Sequence, residues 1–504
     1  MTQRNWLVFL VSGTGLVTAC SSSSNTPETT SMGGGGNGAT VTSTNGGAVS
    51  TGGVAPGGAV SSGGTNAAGG SGAGGTSASG GSPAGGTNAS GGSAAGGAQT
   101  SAGGSGAGGA VTVGSCSRVV GACTSPMVRV TDVTLGSAVT PYGNEGDTLP
   151  LPMALASMPS GGSRLAWLGT DGNVHIGTLD CNDQLVGTPF TLPAEDLQDL
   201  YADDDGGVVL VTRAATNGGT DQCGNGMLCG GTSSPCSAMY MVRFDGAGKV
   251  AWTTQVTNLS DSLAGYQNGA RFVWWYQHHG RLAFDGTNYA AYHGVSITVN
   301  NNACVDIHEG DAMQVVSSSG ALLTGHDSFA VGCSHSWTTR IVWDPRSMHF
   351  VMACATDNNC RIAQPNPYRT IAMGTCDGTL FGGDLVLSTA AGYWTAWSQG
   401  GTIRLEHFTT GASDQTIADA GSSSHPHLVS YGSGHMLLSW ASGTGMSAQV
   451  RDAGTGATVG PALTIDVKDH DYMAFKAYAD GSAAYPAAGA TSTSAKIARV
   501  MPCN

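Results

Sequence analysis

Residues 427–442 read HLVSYGSGHMLLSWAS, a short apolar strand, a glycine-containing turn and a second strand that carries an aromatic residue. Gly432 and Gly434 readily adopt the positive φ angles that a tight hairpin turn requires. The apolar residues follow the spacing of strands, and helical periodicity is almost absent from this part of the chain. The stretch therefore predicts a β-hairpin.

The same pattern recurs on both sides of this stretch. Hairpin turns are predicted at Gly172, Gly206, Gly286, Asp344-Pro345, Gly392, Gly434 and Gly481. Successive turns are roughly 34, 80, 59, 47, 42 and 47 residues apart, and a period of about 45 residues is that of a β-propeller blade. A single four-stranded sheet cannot bury both faces, whereas radial stacking of sheets does so. We predict an all-β head of about seven propeller blades, with two β-sandwich domains as the alternative.

Both ends of this head carry apolar segments that are suited to closing a propeller. One segment lies near Met127–Val130, and the other is the C-terminal IARVMPCN at 497–504. Cysteines near each segment would lock the closure. Because no WD40 or kelch signature recurs among the hairpins, the head resembles a β-propeller of no named family.

The N-terminus reads MTQRNWLVFLVSGTGLVTAC, with Arg4 before an apolar stretch at residues 6–17. The stretch is too short to span a bilayer and suits a signal peptide. Residues 17–20 (VTAC) resemble the lipobox of bacterial lipoprotein signal peptides. The resemblance implies cleavage before Cys20 and lipidation at Cys20, and two or three acyl chains give stable membrane anchoring. We expect a signal peptide at 1–19 and a mature chain anchored at the bacterial cell envelope, at the outer membrane or cell surface.

Residues 20–113 follow as a segment rich in Gly, Ser and Ala, in which Glu28 is the one charged residue. Such a segment has little apolar area to bury and cannot offset the entropy of ordering, so we predict a disordered stalk. Its composition resembles the stalks of myxobacterial-type surface lipoproteins. The folded head is expected at residues 114–504.

The net charge of −14 belongs to the head. This charge argues against nucleic acid or an anionic membrane surface as a partner. The head has no apolar run of eighteen residues, so no second membrane pass is expected.

Besides Cys20 the chain has twelve cysteines, and an even number in an exported chain predicts disulfides. We predict local pairs within 223–236 and a Cys354–Cys360 bridge, and Cys333 is suited to a bridge with Cys304. Cys503 is expected to pair with Cys116 or Cys123.

The densest polar constellation lies in DIHEGDAM and in the following GHDSFAVGCSHSW. His308 and Asp311 are three residues apart, a spacing at which a loop can direct both to one cation. His293 or His335 would complete an imidazole–carboxylate set suited to zinc, copper or iron. The competing interpretation is that these histidines hydrogen-bond neighbouring loops without any metal.

Other polar and aromatic groups have structural interpretations. The segment Asp203–Asp205 is typical of a solvated hairpin tip, the segment Asp469–Asp471 of a surface turn, and His425-Pro-His427 of a strand start. The aromatic residues are interpreted as packing between blades, with sugar stacking as the alternative: Trp274, Trp275, Tyr276, Trp394 and Trp397.

The head contains no nucleophile elbow, phosphate-binding loop or dinucleotide fingerprint. We therefore expect a cell-surface lipoprotein, more a binding protein than an enzyme, whose partners are the membrane, through its lipid anchor, and a glycan or protein ligand. The alternative is an extracellular metal-assisted hydrolase or lyase, with a divalent metal as cofactor near the propeller axis. Its site would consist of His293, His308, Asp311 and His335.

Overall fold

The computed structural model describes nine ranges of the chain: 116–141, 152–214, 237–257, 279–301, 304–333, 336–356, 360–419, 424–470 and 472–504. The predicted signal peptide, Cys20 and the predicted stalk lie outside these ranges. None of the described segments forms a helix with the length and apolarity needed to cross a bilayer.

The described chain forms seven antiparallel four-stranded sheets, numbered here as blades in chain order. Blade 1 comprises β2 (Met153–Ser157), β3 (Ser163–Leu168), β4 (Asn173–Leu179) and β5 (Leu185–Pro193). Blade 2 comprises β6 (Asp196–Asp203), β7 (Gly206–Ala214), β8 (Ser237–Asp245) and β9 (Val250–Gln255). Blade 3 comprises β10 (Gly280–Phe284), β11 (Asn288–Asn301), β12 (Cys304–Ser317) and β13 (Leu322–Leu323).

The remaining blades follow in the same way. Blade 4 comprises β14 (Ser336–Asp344), β15 (His349–Thr356), β16 (Arg361–Pro365) and β17 (Tyr368–Met373). Blade 5 comprises β18 (Phe381–Leu387), β19 (Tyr393–Gln399), β20 (Thr402–Phe408) and β21 (Gln415–Asp419). Blade 6 comprises β22 (Ser424–Tyr431), β23 (His435–Ser442), β24 (Gly445–Asp452) and β25 (Thr458–Ile465). Blade 7 comprises β26 (Lys476–Ala477), β27 (Ala483–Ala488), β28 (Ser494–Val500) and β1 (Val128–Thr134).

The seven sheets close into a ring. The first strand of each blade contacts the first strand of the next, and β26 of blade 7 contacts β2 of blade 1. These first strands are therefore the innermost ones and surround the axis. The prediction of a seven-bladed β-propeller is confirmed, and the alternative of two β-sandwich domains is excluded.

Blade 7 combines strands from both ends of the head, as predicted. Strand β1 pairs with β28 from Val128↔Val500 to Thr134↔Ser494. A disulfide between Cys123 and Cys503 fixes this closure. Between blades 7 and 1, the fully buried Arg499 forms an ion pair with the fully buried Asp183. The ring is thus closed by backbone pairing, a covalent bond and a buried charge pair.

The predicted turns each fall in a different blade. Six of them join the first two strands of their blade, but the turn at Gly172 joins β3 to β4. The first turn of blade 1 lies instead at Gly161 and Gly162, which both have positive φ. Measured from Gly161 to Gly206, the spacing becomes about 45 residues, the regular blade period. Gly206 has a φ of 157°, and a Cβ there would collide with the carbonyl oxygen of Phe244.

The disulfides correct two of the predicted pairs. Cys354 bonds Cys333, so the pairs Cys354–Cys360 and Cys333–Cys304 are wrong. Cys354 lies opposite Ala363 in the ladder, three residues from the level of Cys360. Three residues of strand span about 10 Å, beyond the reach of a disulfide.

The remaining described disulfides join Cys360 to Cys376 and Cys116 to Cys181. Of the two partners proposed for Cys503, the structure selects Cys123. The predicted pairs within 223–236 lie outside the described residues.

The core lies within and between the blades. Trp394 and Trp397 are 0% and 2% exposed, which confirms the prediction that they pack in the core. Residues Trp274, Trp275 and Tyr276 lie outside the described ranges. Asp203–Asp205 forms the tip of the β6–β7 hairpin, as predicted.

Candidate functional site

Six of the seven innermost strands carry a polar, ionisable side chain directly before an apolar residue; β6 has two such positions, Asp196 and Asp199, of which Asp199 forms an ion pair with Lys476. We call this set the axial ring, and its members are Asp199, Arg281, Arg340, Asp384, His427 and Lys476. In β2 the corresponding residue is Ala154, which precedes Leu155. Five members are nearly buried, with relative exposures between 1% and 7%, and Lys476 is partly exposed. Charged side chains are rarely buried without partners, so their pairing decides what the ring does.

One ion pair connects blades 7 and 2. Lys476 Nζ lies 2.6 Å from Asp199 Oδ1. The other oxygen of this carboxylate, Oδ2, accepts a hydrogen bond of 2.9 Å from the backbone N–H of Leu282 in blade 3. Both oxygens of Asp199 therefore have partners, and its charge is neutralised by Lys476.

A longer chain of charges extends from blade 4 to blade 6. Arg340 Nε lies 2.6 Å from Asp384 Oδ1, and Asp384 Oδ2 lies 3.5 Å from His427 Nδ1. The other nitrogen of the ring, His427 Nε2, lies 2.8 Å from Asp469 Oδ1. Tyr485 donates its hydroxyl to the same Asp469 oxygen over 3.2 Å. His427 is thus held between two carboxylates.

The electrostatics of this chain make His427 a cation. Burial alone would lower the pKa of His427, but Asp469 and Asp384 raise it to about 9. Burial would raise the pKa of Asp384 and Asp469, yet neighbouring groups hold both well below the usual range. These groups are Arg340, His427 and Arg281 for Asp384, and His427 and His425 for Asp469. A protonated imidazole is neither a general base nor a metal ligand. Arg340, Asp384 and His427 therefore fix the strands of this part of the ring. Two further histidines lie beside Asp469: His425, whose Nδ1 is 3.6 Å from Asp469 Oδ2, and His470, whose pKa burial lowers to about 4.

Arg281 is the exception in the ring. Its Nη1 donates to the carbonyl of Gly280 over 2.9 Å and its Nη2 to the carbonyl of Tyr472 over 2.7 Å. Among the described residues its buried Nε has no hydrogen-bond partner. The Nε of Arg340 also lacks the geometry of a hydrogen bond, although it forms the ion pair with Asp384. No carboxylate of the described residues forms an ion pair with Arg281. The guanidinium charge is thus held by neutral backbone carbonyls.

A small pocket lies beside the axis where Arg281 meets the Lys476–Asp199 pair. Its lining includes the apolar Met153 and Leu155 of β2 and the charged Asp199, Arg281 and Lys476. Tyr472, in the segment before β26, also lines the pocket. The pocket thus combines apolar side chains with two cations and one carboxylate, and its volume of about 10 Å³ has room for one water-sized group.

Two of the predicted site residues, His293 and Asp311, are described, and the structure does not bring them together. His293 lies in β11 and Asp311 in β12, the second and third strands of blade 3. In the ladder His293 pairs with Ala312 and Gly294 pairs with Asp311. Because side chains alternate between faces, His293 and Asp311 point to opposite faces of the blade. Neither residue belongs to an innermost strand, although the prediction placed the site near the axis.

Asp311 has a structural environment. It is fully buried, its Oδ1 accepts the backbone N–H of Cys333 at 2.7 Å, and its Oδ2 accepts the Tyr292 hydroxyl at 2.5 Å. Asp311, Cys333 and Cys354 lie close enough to hold a metal, as do Cys123, His435 and Cys503. In both groups the two cysteines form a disulfide, so their sulfurs cannot act as thiolate ligands.

His293 is fully buried and neutral. Its Nδ1 contacts the carbonyl of Gly294 at 3.0 Å, and burial lowers the pKa of His293 to about 4. The side chain of His308 and the whole of His335 lie outside the described residues. The complete metal set of His293, His308, Asp311 and His335 therefore stays a prediction, without support from the pair that is described.

Most members of the axial ring are not among the residues predicted from the sequence. The segment Asp469–Asp471 is predicted from the sequence as a surface turn, but Asp469 and His470 are both 6% exposed, so that interpretation is wrong. The physical reason is that the charge of Asp469 is neutralised by His427 and its neighbours inside the head. A signal for the ring does exist, because the predicted hairpins at Arg281, Arg340 and His427 each begin with a basic residue before Leu or Ile.

The comparisons with known proteins add no functional assignment. No family model and no curated protein matches this chain. Among solved structures, the chain is similar to the WD40 β-propeller domain of Doa1, with 12% identity and a TM-score of 0.37, covering 72% of this chain and 96% of that one.

Two further structures are similar to a comparable degree. One is a protein of unknown function from Dyadobacter fermentans, with 12% identity and a TM-score of 0.37, covering 74% of this chain and 99% of that one. The other is a variant α-L-arabinofuranosidase from Fusarium graminearum in complex with an iminosugar inhibitor, with 13% identity and a TM-score of 0.35, covering 73% and 97%. We therefore define the class of this protein, a seven-bladed β-propeller, from its own strand order.

Proposed function

We propose that this chain is a lipid-anchored surface protein that binds a glycan or protein ligand at its axial pocket and performs no reaction on it. The observation that carries the proposal is the state of the axial ring. Asp199, Asp384 and Asp469 each form an ion pair, and His427 is protonated between two carboxylates. Groups in these states are poor general bases and nucleophiles, whereas the pocket beside them has room for one small polar group of a ligand.

The binding test uses the purified full chain in detergent against an array of glycans and extracellular proteins. We expect saturable binding of at least one ligand without chemical change to it. The variant Ala154→Leu extends a side chain that lines the pocket and should weaken this binding at least tenfold. Ala457→Leu, at an exposed residue of blade 6, is the matched control.

Two results contradict the binding proposal. The first is turnover of an arrayed substrate with no stable complex. The second is a folded Ala154→Leu variant that binds as the wild-type chain does, because the ligand would then lie elsewhere.

Anchoring is tested separately at Cys20, whose place after residues 17–19 (VTA) supports lipidation. Expressed with its own N-terminus in a bacterial host, the mature chain should partition into the detergent phase on warming a Triton X-114 solution. Cys20→Ala should move it to the aqueous phase. A wild-type chain that stays in the aqueous phase contradicts the anchor and leaves the binding proposal standing.

A further inference from the structure

We propose that residues 116–126 form a mechanical clamp, which carries a pull on the N-terminal side of the head into blade 1 and keeps it off the strand that closes the ring. We call these residues the entry strap. The inference goes beyond ligand binding. It rests on the proposed anchoring in one respect, because a lipid anchor at Cys20 would put the chain before the strap under tension when a ligand holds the head.

The first step concerns the strand that a pull would load. Strand β1 (Val128–Thr134) is the outermost strand of blade 7, and among the described strands it pairs only with β28. It is also the first strand of the head in chain order, so a pull from the N-terminus would reach β1 before any other strand. The load would fall first on the Val128↔Val500 pair and then on each following pair of the ladder. Loss of β1 would open the closure between the two ends of the head.

The second step concerns the covalent path of the load. Cys116, the first described residue of the head, is bonded to Cys181 in the turn between β4 and β5 of blade 1. A pull that arrives at Cys116 therefore passes through this disulfide into blade 1, and β1 lies beyond the branch point. Cys123 repeats the arrangement nearer to β1, because it is bonded to Cys503 just after β28. Each of the two disulfides alone would shield the β1–β28 ladder.

The third step separates this role from closure of the ring. The two ends of the head already meet in the β1–β28 ladder, and the Cys123–Cys503 disulfide already joins them covalently. The ring is therefore closed without the Cys116–Cys181 disulfide, which lies further towards the N-terminus. What this bond adds is fixation of the point at which the chain enters the head.

The fourth step concerns the fit of the two disulfides against neighbouring blades. Gly161 in the first turn of blade 1 has a φ of 111°, and a Cβ there would lie 2.5 Å from Cys116 Sγ. Gly432 in the first turn of blade 6 has a φ of 55°, and a Cβ there would lie 2.8 Å from Cys503 Sγ. Both turns thus leave room for a disulfide that a larger residue would displace.

Polar contacts hold the strap between its two disulfides. The side chain of Arg118 is 3% exposed, and its Nε lies 2.9 Å from Asp480 Oδ2 in the first turn of blade 7. The guanidinium also lies over the Tyr478 ring, at 5.9 Å from the centroid. Gly121 donates its N–H to the carbonyl of Pro502 over 2.9 Å. The strap is therefore fixed along its length by contacts that a pull must disrupt even where the disulfides are removed.

The test pulls single molecules of the full chain in optical tweezers under non-reducing conditions. DNA handles are attached to click-reactive residues at Ser101 in the predicted stalk and at the exposed Thr444 in the β23–β24 turn of blade 6. In the wild-type chain we expect the first extension step to be the unfolding of at least one whole blade. A blade of about 45 residues releases about 15 nm at about 3.5 Å per extended residue.

The fourfold variant removes both disulfides of the strap, and it combines Cys116→Ser, Cys181→Ser, Cys123→Ser and Cys503→Ser. The load then reaches β1 directly, so residues 116–134 should detach before any blade unfolds. This detachment lengthens the molecule by at most about 7 nm.

The paired variant Cys116→Ser/Cys181→Ser keeps the second disulfide of the strap. It should release only residues 116–122 in its first step, which is at most about 2.5 nm. The matched control is Cys360→Ser/Cys376→Ser, which removes a disulfide beside blade 4, away from the strap. The control should show the first step of the wild-type chain.

A wild-type chain whose first step is about 7 nm contradicts the clamp, because β1 would then bear the load. A folded fourfold variant without the early step also contradicts it. If the fourfold variant does not fold, the paired variant decides, since Cys123–Cys503 still closes its ring: a short first step supports the clamp, and its absence overturns it. None of these results bears on lipidation at Cys20 or on ligand binding, which have their own tests.

Discussion

His427 and Arg281 are buried cations of the same ring, but their surroundings differ. His427 in blade 6 lies between Asp384 and Asp469, with contacts of 3.5 Å and 2.8 Å. Arg281 in blade 3 donates hydrogen bonds only to the carbonyls of Gly280 and Tyr472 among the described residues. Both side chains are largely excluded from water, at 1% and 6% exposure. The difference therefore lies in their partners and not in their burial.

This comparison separates structural charges from charges that remain available to a ligand. A buried ion with an internal counter-ion joins strands, and removing either partner leaves the other charge unpaired. A buried ion with neutral partners contributes little to stability and keeps its electrostatic attraction for an anion. On this basis we expect the arc of blades 4 to 6 to be the rigid part of the ring, and we propose the pocket beside Arg281 as its recognition part.

The largest effect is expected for Asp469→Asn, which removes one counter-charge from His427. Breaking a buried ion pair on one side costs about 3–5 kcal/mol of the free energy of unfolding. Urea unfolding monitored by tryptophan fluorescence at pH 7 measures this loss as a lower midpoint. Asp414→Asn is the matched control, because His407 and Asp414 form a pair with Asp414 half exposed. The control should lose less than about 1 kcal/mol. If the two variants lose equal free energy of unfolding, the buried pair of His427 and Asp469 contributes no more to stability than the exposed pair of His407 and Asp414.

The same site predicts a loss of stability at alkaline pH. The folded-state pKa of His427 is raised from 6.5 to about 9, so its contribution is fully present below pH 6.5 and is lost as the pH rises through 9. A shift of this size corresponds to about 3 kcal/mol. Unfolding midpoints measured between pH 6.5 and 9.5 should fall in the wild-type chain and much less in His427→Gln. A wild-type midpoint that stays constant over this range contradicts the protonated state of His427.

His293 predicts the opposite pH dependence, with an effect of about the same size. Burial lowers the pKa of His293 to about 4, so its neutral form contributes fully above pH 6.5 and the contribution is lost as the pH falls toward 4. His470, with a pKa that burial also lowers to about 4, adds to the loss over the same range. His293→Gln should remove about half of the acid-side loss in unfolding experiments between pH 6.5 and 4.5. If the stability of this variant falls between pH 6.5 and 4.5 as steeply as that of the wild-type chain, groups other than His293 cause the loss.

The fold follows from local rules, which explains why the sequence predicts it well. Each hairpin depends on residues within one turn, such as Gly434 or Gly481, whose positive φ the structure confirms. The blade period follows from the spacing of these turns. The one misplaced turn, at Gly172, arises because blade 1 has two glycine-containing turns close together, and the sequence does not distinguish the first from the second.

The axial ring depends on contacts that no local pattern contains. Asp199 and Lys476 are 277 residues apart in sequence and meet only because blade 7 lies next to blade 1 and close to blade 2. Asp469 follows blade 6 in a connecting segment, where a carboxylate ordinarily indicates a surface turn. Its burial as a charged carboxylate depends on the protonated His427, and the protonation of His427 depends in turn on the charge of Asp469. The dense histidine region around His308 gave a stronger sequence signal, yet its described members face opposite sides of a blade.

The smallest effect is expected for Arg281→Met, and it tests the comparison most directly. Methionine has a similar length and no charge, so the substitution removes a buried cation that forms no ion pair with a described residue. It also leaves the carbonyls of Gly280 and Tyr472 without this donor. These two contributions oppose each other, and we expect the free energy of unfolding to change by no more than about 1 kcal/mol. Arg340→Met removes the same type of side chain from the next blade but leaves Asp384 unpaired by Arg340, and should cost about 3–5 kcal/mol. If the two variants lose equal stability in urea unfolding, Arg281 has an internal role like that of Arg340, and the distinction between the rigid and the recognition parts of the ring is wrong.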